Sequence, residues 1–325
     1  MPVRNARAVV CRGPDRPFEV ETIRVEPPRR NEVTIRLAAC GVCHSDLSAT
    51  NGTIPMPPPL VLGHEGAGVV VEIGEGVTEL AVGDSVVTSF VSMCGHCRYC
   101  QTGRPQLCDQ AARTLTTLPD GSVRSFDTDN QPLSVFSGCG VMGEFATLHV
   151  DNVVKIDAAM PLEPACLIAC GVMTGVGAAF NTARVEAGSS VVVFGCGGVG
   201  LSAIQGSSIA GAASIIAVDT MAHKLEFARL RKGGTAVVVG VAAQADTTSV
   251  RTASLTFEEK TLTGSMYGSA RPRQDFPRLI ALYRSGRLKL DELITQRYTI
   301  EQAAQAFADL QAGHNARGVI VFDPD

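Results

Sequence analysis

The chain has 325 residues, 45% hydrophobic and 18% charged, enough for two domains with buried cores. A net charge of −4 argues against a nucleic-acid partner, because phosphate binding wants a basic face. Eleven cysteines, an odd and clustered set, fit a reduced compartment and metal ligation better than a disulfide framework.

The N-terminal stretch holds only a four-residue apolar run, Ala8 to Cys11, too short for a secretory signal. The uncharged stretch Cys166 to Phe180 is short for a membrane span and rich in glycine. A cytoplasmic protein with no membrane partner is therefore expected. Short alternating runs, Val33–Leu37 and Val69–Ile73, separated by Gly and Pro turns, predict a β-rich first part. Pro55, Pro57, Pro58 and Pro59 mark an irregular loop.

Residues 93–108 have no periodic pattern and need something other than a core to order them. Cys94, Cys97, Cys100 and Cys108 are spaced C-x2-C-x2-C-x7-C. Thiolates two residues apart in tight turns can reach one zinc ion, and a four-thiolate site has no open position. A structural zinc is expected; the alternatives are an iron–sulfur cluster or four unrelated thiols.

Cys43-His44-Ser45-Asp46, Gly63-His64-Glu65-Gly66 and Cys170 form a second, scattered constellation. Two cysteines and a histidine suit a catalytic zinc that keeps its fourth position for substrate. Spacing alone cannot join residues so far apart. Singly, Cys170 also reads as a small core residue and His64 as a hydrogen-bonded turn histidine. Cys40-Gly-Val-Cys43 also reads as a redox pair, although no thioredoxin-like unit surrounds it.

From about residue 172 the texture changes. Val191–Phe194 predicts a buried strand, a glycine-rich turn and an apolar helix follow, and Ile215–Val218 predicts a second strand ending at Asp219. Gly195-Cys-Gly197-Gly198-Val-Gly200 with Asp219 nineteen residues on is a dinucleotide-binding pattern. The first glycine allows the tight turn, the second admits the pyrophosphate, and the third lets helix pack on sheet. The helix N-terminus favours the phosphates. Asp219 would accept the ribose hydroxyls and repel a 2′-phosphate, so NAD is expected over NADP. Thr235–Val241 predicts another strand; residues 275–325 predict two helices and a last strand, Gly318–Phe322.

Gly41-Val-Cys-His-Ser-Asp46, Gly63-His-Glu-Gly-Ala-Gly68, the four-cysteine loop, Cys170-Gly-Val-Met-Thr174-Gly175 and the glycine turn occur in that order. The ordered set resembles the zinc-containing medium-chain dehydrogenase/reductase family, which includes the alcohol dehydrogenases, over nearly the whole chain. In texture it is closest to actinobacterial-type aryl- or thiol-adduct alcohol dehydrogenases. The resemblance implies a GroES-like β-barrel catalytic domain, residues 1–171 completed by 267–325, and a Rossmann-type doubly wound NAD-binding domain, 172–266. It implies Cys43, His64 and Cys170 as catalytic zinc ligands, Glu65 beside the metal, and Asp46 orienting His64. It gives Ser45 the substrate proton and faces His44 toward the cofactor pyrophosphate. Thr174, Lys224 and Arg317 join the cofactor contacts. Where the family often carries a relay histidine, this chain has Ser48.

The chain departs from the family after Asp219. Only thirteen residues separate it from Gly233, too few for the βαβ steps of roughly 30 residues each that a full doubly wound domain needs there. The sequence therefore predicts a shortened domain lacking strands three and four, joined near Arg229–Leu230. The expected activity is reversible oxidation of a primary or aromatic alcohol to an aldehyde, with two zincs per chain and hydride transfer to NAD. The alternatives are a thiol-dependent formaldehyde dehydrogenase and a zinc-binding remnant without turnover. The segment Leu255–Gly268 resembles the family's dimer-edge strand, so a homodimer or homotetramer is expected.

Overall fold

The computed structural model describes residues 3–13, 16, 18–219, 231–241, 245–247 and 249–323. The chain divides into two compact units, Met1–Cys170 with Arg271–Asp325, and Gly171–Ala270.

In chain order the strands are β1 (Arg4–Cys11), β2 (Glu19–Val25), β3 (Glu32–Gly41), β4 (Leu60–Val61), β5 (Gly66–Ile73), β6 (Ser85–Thr88), β7 (Ser125–Phe126) and β8 (Pro132–Val135). Then come β9 (Phe145–His149), β10 (Val153–Lys155), β11 (Ser190–Phe194), β12 (Ser214–Val218), β13 (Thr235–Val238), β14 (Thr261–Gly264), β15 (Ile294–Tyr298) and β16 (Arg317–Val321).

In the first unit β1, β2, β7, β8 and β4 close a small barrel, the GroES-like part of the fold. A second sheet runs β10-β6-β5-β3-β16-β15, with β9 also on β3. β3 is buried along almost its whole length because three strands and both sheet faces cover it. Val33, Ile35 and Leu37 lie in one core cluster with Leu62, Val70, Phe136 and Phe307. β16 brings the C-terminal segment onto β3, with Val319 opposite Gly41 and Ile320 opposite Cys40. That pairing matters below, because Arg317 begins β16. Sequence periodicity missed β15, whose outward residues Thr295, Gln296 and Arg297 carry no apolar alternation.

The second unit is Rossmann-type. β11 and β12 pair in parallel, Val191 opposite Ile215, and the helix Gly198–Ile209 connects them and packs on both. Thr235–Val238 does not fill the free edge of β11; it pairs in parallel with β14 instead. Among the described residues the two strand pairs share no ladder. The consequence shows in burial. Val192, Phe194 and Ile216, on strands of a parallel sheet, are 47%, 53% and 56% exposed. Parallel sheets are ordinarily covered on both faces, and the second cover is missing here among the described residues. No single described helix is long and apolar enough to cross a membrane.

Candidate active site and cysteine loop

Three separate segments of the first unit converge. The helix His44–Thr50 starts directly after Cys43, whose backbone is extended. The turn between β4 and β5 carries His64 and Glu65. Gly63 has φ of +93°, and a side chain there would sit 2.3 Å from the Met142 backbone nitrogen, so only glycine lets this turn close. Cys170 follows the short 3-10 turn Leu167–Ala169. Candidate ligand atoms of Cys43, His64, Glu65 and Cys170 all lie within 4.8 Å of one another, and all four residues are buried.

A layer of partners orients them. Asp46 Oδ1 accepts a hydrogen bond from the Gly63 amide at 2.8 Å. Its Oδ2 lies 3.3 Å from His64 Nδ1, which leaves Nε2 as the nitrogen free to face a metal. Ser45 Oγ is 3.7 Å from Cys43 Sγ. Glu65 and Arg317 form a buried ion pair. Burial pushes the Glu65 carboxyl up to about 7, against the pull of Arg317. Hydrogen bonding from Cys170 holds the Cys43 thiol well below the usual range, opposed by burial and helped by His64.

The donor set fits zinc. Two thiols and an imidazole are the soft and borderline ligands a tetrahedral open site uses. Glu65 Oε1 is buried without a hydrogen-bond partner, a costly arrangement for a site meant to hold no ion.

Cys94, Cys97, Cys100 and Cys108 likewise gather within 4.8 Å. Cys94 and Cys108 sulfurs are 3.5 Å apart, and Cys97 and Cys108 sulfurs 3.8 Å. These are too far for disulfides, and every cysteine in the chain is free. Backbone amides of Cys94, Cys97 and Cys100 point at the sulfurs of Cys108, Cys94 and Cys97. Amide donors stabilise thiolates. Those of Cys100 and Asp109 bring the Cys97 thiol down to about 6. The loop is anchored by Gln110, which donates to both Ser92 Oγ and Asp151 Oδ2 at 2.7 Å, and by Met93, whose amide donates to the Asp151 carbonyl at 3.2 Å.

The glycine turn lies in the second unit. Gly195 has φ of +90°, and a side chain on Gly200 would meet the Gly195 carbonyl at 1.7 Å, so the turn requires glycine at both. Gly197 precedes the helix that Gly198 opens. Asp219 Oδ2 accepts the Cys196 amide at 3.0 Å, which ties the acid to the turn. Thr174 is half-buried on the helix Gly171–Gly177. His44 is exposed. Arg317 sits in the first unit on Glu65, a pairing that sequence spacing did not foresee. Lys224 and the Arg229–Leu230 junction lie outside the described residues. Sequence reasoning also missed Phe90 and Phe136, whose rings meet His64 edge-on at 5.6 Å and 5.1 Å between centroids. No motif surrounds either, so only proximity could find them.

Comparison with known proteins agrees with this geometry. The family model described as alcohol dehydrogenase GroES-like domain matches residues 29–158, and that described as zinc-binding dehydrogenase matches 208–321. The chain is 38% identical to the NDMA-dependent alcohol dehydrogenase of Amycolatopsis methanolica, covering 99% of this chain and 100% of that one. It is 39% identical to the putative alcohol dehydrogenase D of Mycobacterium tuberculosis, over 94% of this chain and 96% of that one. Among solved structures, an alcohol dehydrogenase zinc-binding domain protein from Burkholderia ambifaria superposes with a TM-score of 0.93 at 31% identity, over 99% of this chain and all of that one. Benzyl alcohol dehydrogenase from Acinetobacter calcoaceticus superposes with a TM-score of 0.86 at 28% identity, over 98% of this chain and all of that one. The chain belongs to the zinc-dependent alcohol dehydrogenases of the medium-chain dehydrogenase/reductase family, and is an oxidoreductase.

The Amycolatopsis alignment runs over 371 positions against 325 residues here, so at least 46 positions of it have no counterpart in this chain.

Proposed function

We propose that the chain oxidises a primary or aromatic alcohol to its aldehyde, reversibly, with NAD as hydride acceptor. The convergence of Cys43, His64 and Cys170 beside Ser45 carries this reading. Those three residues would hold the catalytic zinc, and Cys94, Cys97, Cys100 and Cys108 the structural one. Zinc supplies a Lewis acid that lowers the pKa of the alcohol, and the nicotinamide accepts the hydride. The protein's own part is positional. Ser45, with its hydroxyl beside Cys43, takes the alcohol proton and passes it outward, Ser48 standing where a relay histidine is common. Asp46 keeps the His64 proton on Nδ1. Glu65, tied to Arg317, balances charge behind the ligands. The edges of Phe90 and Phe136 supply an apolar wall suited to an aromatic ring, in keeping with the benzyl alcohol dehydrogenase likeness.

Asp219 supports NAD over NADP, with Gly195, Gly197, Gly198, Gly200 and Thr174 lining the dinucleotide and His44, Lys224 and Arg317 as further contacts. Eleven free thiols fit a reducing cytoplasm. β14, with Leu262 exposed, suits edge pairing into a homodimer or homotetramer. The name of the Amycolatopsis relative favours a second reading, turnover with NDMA as acceptor. The bare face of β11 and β12 and the unmatched positions support a cofactor domain shortened between Asp219 and Gly233.

Aldehyde formation from primary and aromatic alcohols, followed with NAD as NADH absorbance and with NDMA as its consumption, tests the activity. Turnover on neither acceptor refutes it and leaves a zinc-binding remnant. Insertion of a family-type segment between Arg229 and Leu230 should raise activity by about 100-fold or more, since misplacing a reactant by an ångström costs that much. An unchanged rate would refute the shortening.

A further inference from the structure

One segment, Thr88 to Cys94, runs from the His64 site to the cysteine loop. Its first residues touch His64 directly. Thr88 Oγ1 accepts the Gly66 amide at 2.9 Å and holds two carbonyls in reach of its one proton, Gly66 at 3.2 Å and His64 at 3.3 Å. The Phe90 ring meets the imidazole edge-on. Ser89 lies between them, fully buried, and Asn152 grips it from both sides. The Ser89 amide donates to the Asn152 carbonyl at 2.8 Å, and Asn152 Nδ2 donates to the Ser89 carbonyl at 2.8 Å. Cys139 Sγ adds a weaker donor to the same carbonyl at 3.5 Å. The Ser89 hydroxyl turns to the Val91 carbonyl at 3.0 Å, carrying the segment on toward Cys94. Asn152 is itself 1% exposed.

We propose that Asn152 is a positioning residue for the His64 metal site. By clamping Ser89, it fixes the height of Thr88 and Phe90 against His64, and so the geometry in which His64 meets Cys43 and Cys170. The inference rests on the zinc reading of that site. Its physical basis is the asymmetry of the clamp. Without the Asn152 amide, the Ser89 carbonyl keeps only a thiol donor, which is weak. A buried carbonyl so under-satisfied shifts to find a partner, and both neighbours that contact His64 shift with it. Losing a ligand's own hydrogen-bond partner typically weakens metal binding or activity roughly 10–100-fold, and Asn152 acts one layer further out, so the lower end of that range is expected.

Asn152→Ala should be compared with Thr34→Val. The latter removes a buried hydrogen bond of 2.8 Å between Thr34 and Thr147, in the same sheet and remote from the ligands. Both should lower the denaturation midpoint. Only Asn152→Ala should weaken metal at the His64 site about 10-fold in chelator competition and shift the visible absorption of cobalt-substituted protein. The absorption of the four-thiolate site is recorded for each protein in a Cys43→Ser background, which disables the His64 site, and subtracted. Where turnover is measured, Asn152→Ala should lower kcat more than it raises KM. Metal affinity and cobalt spectrum equal to those of Thr34→Val would overturn the proposal. If Asn152→Ala does not fold, Asn152→Ser serves: its side chain is too short for the Ser89 carbonyl, so the same shift is expected and its absence refutes the clamp. These readouts need no turnover. A wild-type chain that fills the His64 site yet oxidises no alcohol overturns the proposed activity and leaves the clamp standing. One that takes no metal there overturns both.

Discussion

Replacing Asp46 with asparagine changes one atom's chemistry and almost no volume, yet it should weaken metal binding at the His64 site. Asp46 Oδ1 accepts the Gly63 amide at 2.8 Å, and Oδ2 faces His64 Nδ1 at 3.3 Å. A carboxylate offers only acceptors, so Nδ1 carries the imidazole proton and Nε2 keeps its lone pair. Asparagine has one oxygen. The Gly63 amide can only donate and claims that oxygen, which turns the NH2 toward Nδ1. Nδ1 must then accept, and the proton moves to Nε2, where it blocks ligation. Asp46 is fully buried, so no water can relieve the conflict. The expected loss is roughly 10–100-fold in metal affinity, about 1.4–2.8 kcal/mol. Zinc competition against a chromophoric chelator reads it directly, because the four-thiolate site remains as an internal reference. A variant that binds zinc at the His64 site as tightly as wild type would refute the tautomer argument.

Cys97→Ser should cost about one metal per chain by elemental analysis and open residues 94–108 to proteolysis, since that loop has little apolar core to fall back on. Asp219→Ala should narrow the proposed preference for NAD over NADP by about tenfold, the worth of one charge-assisted hydrogen bond of about 1.5 kcal/mol; an unaltered ratio would refute the role proposed for Asp219. Asp151 should make the cysteine loop acid-labile. Burial raises its carboxyl, but hydrogen bonds from His149 and Gln110 outweigh that and hold it below the usual carboxylate range. A depressed carboxyl contributes stability above its unfolded value, about pH 4, which is lost as pH falls through the folded one. Asp151→Asn should therefore flatten the pH dependence of melting below about pH 4, and an unchanged slope would discount the network.

Much of this was legible in the residues alone. Val33–Leu37 and Val191–Phe194 announce strands because their pattern is local. The four-cysteine loop is legible because its thiols lie within fifteen residues, so spacing already limits their distance. The glycine turn is legible because Gly195 and Gly200 answer a backbone need that no other residue meets. The thirteen residues between Asp219 and Gly233 could be counted, and they are too few for a strand-helix-strand step, which has a minimum length. What the tertiary structure decided is everything that depends on distant segments meeting. Periodicity could not bring Cys43, His64 and Cys170 together, and only the resemblance joined them before the fold did. Arg317 lies 252 positions from Glu65 and reaches it only because β16 pairs with β3. Phe90, Phe136 and Asn152 carry no signature, because packing against a histidine or holding a neighbour's carbonyl asks for a shape in one place, not for a spacing along the chain. The exposed face of β11 and β12 belongs to the same class: each strand alone is an ordinary apolar run, and that it lacks cover among the described residues shows only once the sheet is assembled.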